Sequence, residues 1–137
     1  MLGARMIPSR ARRCALLTAV MAGLVVPVAP AQGARVSADF FSPSGNIQCE
    51  MLHPVVICST LKPFRRVDMD IHGGLHRCRV KIRCQGDLGQ GAFELKYGHS
   101  VRVGRFKCTS RTTGVTCTVA KTGKGFRINR KGVKRVG

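Results

Sequence analysis

The sequence predicts an all-β fold: a small antiparallel domain, sandwich-like or barrel-like, that is stapled by disulfides and follows an N-terminal signal peptide. Three observations support this prediction. The chain opens with a basic, then apolar, then small-residue segment; an even number of cysteines follows it; and short alternating runs are separated by Gly-rich turns. No window repeats apolar residues at helical spacing, so strands are the expected elements of the domain.

The first 31 residues have the three-part organisation of a secretory signal peptide. Residues 1–13 carry no acid and four arginines, Arg5, Arg10, Arg12 and Arg13, and an uncharged apolar stretch follows over residues 15–26. Ala29 and Ala31 supply the small side chains that a signal peptidase requires at positions −3 and −1. We therefore expect cleavage between Ala31 and Gln32, and a mature protein that is secreted or associated with the cell envelope.

The alternative to cleavage is a retained membrane anchor. A bilayer requires roughly 20 apolar residues, and Pro27 and Pro30 interrupt the apolar run before that length. Cys14 precedes the apolar run, so it leaves with the signal peptide and six of the seven cysteines remain. An even number in a short exported chain indicates a disulfide framework.

The chain after the signal peptide is predicted to have three parts: a flexible mature N-terminus over 32–38, a β domain over 39–130 and a basic C-terminal tail over 131–137. It keeps 20 of the 24 Lys and Arg and all six acids, which gives a formal charge of about +14. From Leu95 to the end there are 12 Lys or Arg and no acid. Such a surface attracts polyanions in a salt-dependent way. No integral membrane segment is expected in the mature chain.

The clearest local pattern is a hairpin around Gly73-Gly74. Val67–Ile71 alternates apolar and polar residues, and Leu75–Arg83 does so from residue 77. A Gly-Gly loop is typical of a tight type I′ turn, because both positions require positive φ. The turn therefore predicts a register with Asp70 opposite Arg77, Asp68 opposite Arg79, Met69 opposite Cys78 and Val67 opposite Val80.

Further short strands are predicted from similar patterns and from the turn-forming residues between them. They are Ile47–Leu52, Val55–Cys58, Ala92–Tyr97, Ser100–Val103, Arg105–Thr109, Val115–Ala120 and Phe126–Asn129.

Six cysteines are predicted to form disulfides: Cys49, Cys58, Cys78, Cys84, Cys108 and Cys117. Two pairs have equal spacing and each brackets a plausible hairpin, which favours the local bridges Cys49–Cys58 and Cys108–Cys117. Elimination leaves Cys78–Cys84, but six residues of extended strand span about 20 Å and bridged Cα atoms lie about 4.4–6.8 Å apart. Either the chain bends between Arg79 and Arg83 or the connectivity is not sequential, and the sequence leaves both possibilities open.

One weak pattern suggests a metal. His72, His76, Cys78 and Cys84 supply enough ligands for a tetrahedral zinc site. However, the two histidines flank a turn, the cysteines fall on a predicted strand, and an oxidising compartment favours disulfides. We therefore predict no metal site and no cofactor.

Catalytic patterns are equally weak. A ribonuclease-type acid–base site would combine His72 or His76 with His99 and a nearby lysine, but scattered histidines are common on basic surfaces. Asp68 and Asp70 have arginine partners in the predicted register, so they do not form a free pair of carboxylates. No nucleophile elbow or phosphate-binding loop is present. We predict no catalytic residues and a protein that is not an enzyme.

Several motifs resemble a family of small secreted mycobacterial and other actinobacterial proteins of unknown function. The opening Phe41-Ser42-Pro43-Ser44-Gly45-Asn46-Ile47-Gln48-Cys49-Glu50 is similar to that family's. The likeness continues through Cys78 and Cys84 and then at Leu95–Gly98, Gly104–Cys108, Thr113–Val119 and Gly123–Ile128. The resemblance covers nearly all of residues 39–130 and implies an exported, disulfide-containing β domain without an assigned activity. The basic stretch at 79–83 and the high charge depart from the family's usual pattern.

The leading functional hypothesis is a non-enzymatic envelope or extracellular domain that binds anionic polymers or a membrane surface through a basic face. We expect that face to comprise Arg77, Arg79, Lys81, Arg83, Lys121, Lys124, Arg127, Arg130, Lys131, Lys134 and Arg135. The alternatives are a small secreted hydrolase or nuclease that uses the histidines, and a secreted effector or inhibitor that docks to a protein partner. The sequence does not determine the partner or the oligomeric state.

Overall fold

Eleven strands and no helix are formed by the residues that the computed structural model describes, 35–78 and 91–137. The predicted all-β class is therefore confirmed. No helix in these two ranges is long and apolar enough to cross a membrane. The predicted signal peptide and its cleavage site lie outside the described residues, as do Arg79, Lys81, Arg83 and Cys84.

The strands form two sheets. Sheet A has the order β5-β4-β3-β2-β1-β6 and sheet B has the order β11-β10-β9-β8-β7. Neighbouring strands are antiparallel except β1 and β6, which are parallel. The strands of sheet A are β1 Ser37–Phe41, β2 Ile47–Leu52, β3 Val55–Thr60, β4 Arg65–Asp70, β5 Leu75–Cys78 and β6 Phe93–Glu94. Those of sheet B are β7 Ser100–Val103, β8 Phe106–Arg111, β9 Gly114–Val119, β10 Gly125–Asn129 and β11 Gly132–Val136.

The two sheets pack face to face, and β4 contacts β11, β3 contacts β10 and β1 contacts β7. Alternate residues of the strands point into one apolar core, in which Phe40, Phe106 and Phe126 are fully buried. The period-2 alternation of the sequence has this physical cause, because successive side chains of a strand point to opposite faces of the sheet. The fold is therefore a β-sandwich.

Both predicted local disulfides are confirmed, and they contact each other in the core. Cys49 bonds to Cys58 across β2 and β3, and Cys108 bonds to Cys117 across β8 and β9. The Sγ atoms of Cys58 and Cys117 lie 3.8 Å apart, at the centre of the sandwich. Cys78 is also disulfide-bonded, and Cys84, the partner that elimination suggests, lies outside the described residues.

The hairpin around the first disulfide recurs 59 positions later in the chain, around the second disulfide. Cys49 and Cys58 correspond to Cys108 and Cys117, and β2 and β3 correspond to β8 and β9 residue by residue. The next strand keeps the same register, since Ser59 pairs with Arg66 and, 59 positions later, Thr118 pairs with Gly125. The sandwich therefore consists of two meanders of five strands each, to which β6 adds an edge in sheet A.

The predicted register of the β4–β5 hairpin is wrong by three residues. Met69 pairs with Leu75 and Arg66 pairs with Cys78, and four residues, 71–74, join the end of β4 to the start of β5. An odd shift moves every side chain of a strand to the opposite face of the sheet. Leu75 consequently packs against the core, and Cys78, predicted on the apolar face, lies on the outer face opposite Arg66.

The predicted pairing of Asp70 with Arg77 is replaced by a turn that the carboxylate itself caps. The backbone N–H groups of His72 and Gly74 donate to Oδ1 of Asp70 at 2.7 and 2.9 Å. These hydrogen bonds to the ionised carboxylate lower the pKa of Asp70 below its ordinary value of 3.8. Asn129 has the same role 59 positions later, where its Oδ1 accepts from the backbone N–H groups of Lys131 and Gly132 at 2.9 and 3.2 Å.

Both predicted flexible ends contain strand structure. The residues of the predicted C-terminal tail form β11, which pairs with β10. Within the predicted flexible N-terminus, Ser37 and Ala38 begin β1 and pair with Leu52 and Met51. Neither segment has the strong alternation of the other strands, and their pairing depends on the neighbouring strand of the sheet.

Candidate functional site

Acidic and basic side chains are segregated between the two sheets. All five acids of the described residues lie on strands of sheet A: Asp39, Glu50, Asp68, Asp70 and Glu94. The strands of sheet B carry no acid and six cations: Arg102, Lys107, Arg111, Arg127, Lys134 and Arg135. Within residues 35–78 and 91–137, the strands of sheet A carry three cations, Arg65, Arg66 and Arg77. Among the described strands, the basic side chains are therefore concentrated on one layer of the sandwich.

The outer face of sheet B brings like charges into direct opposition. Arg102 pairs with Lys107 across β7 and β8, and Arg127 pairs with Lys134 across β10 and β11. Directly opposed side chains have Cβ atoms about 4.5–5.5 Å apart, and like charges at this distance destabilise a sheet. A surface that keeps two such pairs is suited to bind an anion, because an anion removes the repulsion within each pair.

The outer face of sheet A has the opposite character. Asp39 lies directly opposite Glu50 across β1 and β2. Asp68 forms an ion pair with Arg66, whose Nε lies 2.9 Å from Oδ1. The sequence predicted Arg79 as the partner of Asp68, but the observed register places His76 opposite it.

A cleft of about 690 Å³ lies at one end of the sandwich, between the β1–β2 loop and the β8–β9 and β10–β11 turns. We call it the terminal cleft. Five cations line it, Arg111, Arg127, Arg130, Lys131 and Lys134, and its lining contains no acid. Arg130 and Lys131 form the exposed tip of the β10–β11 turn. Four of these cations were predicted as polyanion-binding residues, whereas Arg111 was missed because the sequence does not show that the two turns meet.

Hydrogen bonds fix the walls of the terminal cleft. Nδ2 of Asn129 donates to the carbonyl oxygen of Thr113 at 2.9 Å, which joins the two turns of sheet B. Gly114 permits their close approach, because a Cβ at that position would lie 2.4 Å from the carbonyl oxygen of Ile128. Its φ of 130° also lies in a region that favours glycine. These contacts hold together the two turns beside Arg111 and Arg127.

The opposite wall contains a buried amide with unused hydrogen-bonding capacity. Asn46 is 8% exposed and its Oδ1 accepts from the backbone N–H of Lys62 at 3.0 Å. Its Nδ2 has no acceptor among the described residues. Leaving a buried donor unpaired costs about 1–3 kcal/mol, and Asn46 is one of the residues that line the cleft. Hydroxyl groups of Ser42, Ser44, Thr112 and Thr113 also line the cleft.

The remaining predicted basic residues lie elsewhere. Lys121 and Lys124 occupy the β9–β10 turn. A Cβ at Gly73 would lie 2.8 Å from Cβ of Lys124, so this turn approaches the β4–β5 loop of sheet A. Nη1 of Arg135 donates to the carbonyl oxygen of Gly73 at 3.3 Å and thereby joins the two sheets. Arg77 lies exposed on the edge strand β5.

The histidines that the alternative ribonuclease-type site would combine are not brought together. His72 and His76 belong to the β4–β5 hairpin, whereas His99 immediately precedes β7, which contacts β1. Four strand spacings separate β5 from β1 in sheet A, which is about 19 Å. His72 and His76 therefore lie at the other side of the sheet from the strand that β7 contacts.

The candidate zinc ligands His72, His76 and Cys78 do not form a group at ligand distance in the described ranges either, and Cys84 lies outside them. Cys78 is disulfide-bonded and therefore presents no free thiolate. Within residues 35–78 and 91–137, the only group of three or more His, Cys, Asp or Glu at ligand distance is Cys49, Cys58 and Cys117. Each of these sulfur atoms belongs to a disulfide.

Comparison with known proteins adds no further guide to the site: no family model, curated protein or solved structure matches the chain.

Proposed function

We propose that this protein is an exported, non-enzymatic domain that binds anionic polymers through sheet B and the terminal cleft. The observation that carries the proposal is the segregation of charge: every acid of the described residues is on sheet A, and sheet B holds directly opposed pairs of cations. A net positive charge alone would keep a protein soluble without concentrating like charges on one layer. An anionic polymer offsets that repulsion along the whole face.

The polymer is expected to bind by counterion release, so its affinity falls as salt rises. For a single-stranded phosphodiester, the slope of log affinity against log salt is about −0.7 per phosphate contact. A 20-nucleotide oligothymidylate is a suitable probe because it has regularly spaced phosphates and no duplex structure. Its affinity is measured by fluorescence anisotropy over a series of salt concentrations.

Two double variants with equal changes in net charge provide the decisive comparison. Arg102→Gln/Lys107→Gln removes one opposed pair of sheet B, and Arg35→Gln/Lys62→Gln removes two exposed cations elsewhere. We expect the first variant to reduce the salt slope by about 1.4, the value for two lost phosphate contacts, and the second to leave it unchanged. Equal effects would mean that only net charge attracts the polymer. Absence of binding at low salt would refute the proposed function.

A membrane surface is the other anionic partner that the composition suggests. Vesicles containing an anionic phospholipid test it with the same variants. Binding to vesicles in preference to the oligonucleotide would replace the polymer by a membrane surface in this proposal.

Export is proposed on the basis of the N-terminal pattern and supported by the disulfides, which persist in oxidising compartments. It is also what the resemblance to secreted actinobacterial proteins implies. The intact mass of the protein recovered from the medium tests both features. We expect a chain that begins at Gln32 and lacks six hydrogens, whereas a retained N-terminus would refute the cleavage.

A further inference from the structure

We propose that the terminal cleft is a specific site for a phosphate monoester carried by a hydroxyl-rich organic group, such as a phosphorylated sugar at the end of an anionic polymer. This inference rests on the proposed function and names the group that one part of the basic surface recognises. The rest of sheet B binds the polymer by charge, whereas the cleft has the volume and the number of polar donors of a site for one group.

The spacing of the cations favours a dianion. Arg127 and Lys134 are directly opposed, so their Cβ atoms are about 4.5–5.5 Å apart. A phosphate monoester carries about −1.5 to −2 charges at pH 7, which compensates both cations at once. A carboxylate or a phosphodiester carries one charge and leaves one cation of the pair uncompensated.

The donors around this pair suit a group with three terminal oxygens. Arg111 and Arg130 line the same cleft as Arg127, and each guanidinium offers five N–H donors in a planar fork that binds phosphate in a bidentate manner. On the opposite wall, Nδ2 of Asn46 is a buried donor without an acceptor among the described residues. A phosphoryl oxygen that enters the cleft supplies that acceptor.

The volume and the remaining lining indicate that the phosphate is attached to an organic group. A cleft of about 690 Å³ falls in the range of about 300–1,000 Å³ that is typical of small-molecule sites, and a phosphate ion alone does not fill it. Hydroxyls of Ser44, Thr112 and Thr113 can exchange hydrogen bonds with hydroxyls of a ligand, and Tyr97 and Val133 offer apolar surface. This mixture suits a sugar or another polyol better than an apolar chain.

Binding of glucose 6-phosphate to the folded domain tests the inference, with inorganic phosphate, sulfate and acetate as comparison anions. The amide signals of Gly114 and Gly132, which line the cleft, report on occupancy in an NMR titration. We expect glucose 6-phosphate to bind most tightly and acetate least. Its affinity should rise between about pH 5 and pH 8, because the second pKa of a phosphate monoester is about 6, whereas the affinity for sulfate should stay constant.

Two matched variants locate the site. Arg127→Gln/Lys134→Gln removes the opposed pair in the cleft and should weaken glucose 6-phosphate binding by about tenfold or more, since hydrogen bonds to charged groups are strong. Arg102→Gln/Lys107→Gln removes the equivalent pair outside the cleft and should leave that binding unchanged. Asn46→Asp keeps the acceptor for Lys62 but replaces the amide donor by a carboxylate oxygen, and it should also weaken binding.

The failure of this inference can be distinguished from failure of the proposed function. Acetate binding as tightly as glucose 6-phosphate, or equal loss in both double variants, would refute the phosphate site while oligonucleotide binding remained. Absence of oligonucleotide binding at low salt would refute the polymer-binding function itself. Phosphate binding without any gain from the sugar would remove the hydroxyl-rich group from the proposal.

Discussion

Sheets A and B are built on the same disulfide-bonded meander, yet their outer faces carry charges of opposite sign. At positions 59 residues apart, the inward-facing residues are alike: Val56 corresponds to Val115, and Met69 to Ile128. The outward-facing residues differ, since Asp68 corresponds to Arg127. The interior must be apolar and close-packed. The exposed face has no such constraint, so its positions can carry residues that bind a partner.

The two sheets also share one core. Phe40 of sheet A and Phe126 of sheet B belong to the same buried cluster, and the two disulfides contact each other between the layers. Neither meander can bury its apolar face without the other. We therefore expect equivalent core substitutions in the two sheets to lower the free energy of unfolding by similar amounts. Equivalent surface substitutions should differ in their effect on binding.

The largest expected effects test the shared core. Phe40→Ala and Phe126→Ala each remove a fully buried ring and should lower the free energy of unfolding by about 3–5 kcal/mol. Urea denaturation followed by far-UV circular dichroism measures the loss, and Val36→Ala, at a position 82% exposed, is the control. A two-step transition in either variant would show that the sheets unfold separately and would contradict a shared core.

The two disulfides provide a second comparison. Each joins residues nine positions apart, so the chain-entropy model gives each bridge the same stabilisation, about 2.5 kcal/mol. Cys49→Ala/Cys58→Ala and Cys108→Ala/Cys117→Ala should therefore shift the urea midpoint by similar amounts. A loss in one variant at least twice that in the other would show that the two hairpins are not energetically equivalent.

Reversing one charge in each sheet should separate stability from binding. Lys134→Glu places an acid opposite Arg127, and Glu50→Lys places a base opposite Asp39. Each replaces a like-charge pair by an opposite pair and should stabilise the fold by about 0.2–1 kcal/mol. Only Lys134→Glu should weaken oligonucleotide binding. Reduced stability of Lys134→Glu would show that sheet B does not carry the repulsion that we assign to it.

The smallest effect concerns the two equivalent turns, of which one is capped by an acid and the other by an amide. The pKa of Asp70 is lowered by hydrogen bonds from the backbone of Gly74 and His72. The cap is therefore complete above the ordinary pKa of 3.8 and is lost as the pH falls through the lower folded-state value. In an NMR titration over this acidic range, the amide signals of His72 and Gly74 should move.

Asn129 provides the control within the same molecule. The amides of Lys131 and Gly132 donate to its uncharged side chain, so their signals should not follow that transition. Asp70→Asn should retain a side-chain oxygen as acceptor and abolish the pH dependence of the first turn. A transition that persists in this variant would mean that another group titrates there.

The β4–β5 hairpin shows where prediction from local sequence fails. Gly73-Gly74 suits a two-residue turn, but the carboxylate of Asp70 accepts two backbone N–H groups and favours a longer loop. The longer loop also lets Leu75 pack against the core, which the two-residue turn does not. Competition between turn chemistry and side-chain burial is resolved only when the opposite sheet is present.

The candidate site was predicted in the same partial way. The charge of the C-terminal region is evident from the sequence, which assigns Arg127, Arg130, Lys131 and Lys134 to one basic face. The hairpin that makes them neighbours was not predicted, because residues 131–137 were expected to be a tail. Arg111 and Asn46 could not be assigned to the same place, because they come from other turns of the chain. No pattern of spacing links residues whose proximity depends on how two sheets pack.

The sequence by itself determined the all-β class, most of the strands and both described intra-hairpin disulfides, because alternation and short cysteine spacing are local properties of an extended chain. Tertiary structure alone decided the register of β4 and β5, the formation of β1 and β11, the segregation of acids from bases and the existence of the terminal cleft. These features depend on strand neighbours and on the packing of one layer against the other. Such contacts join residues that are distant in the chain, and a local pattern does not encode them.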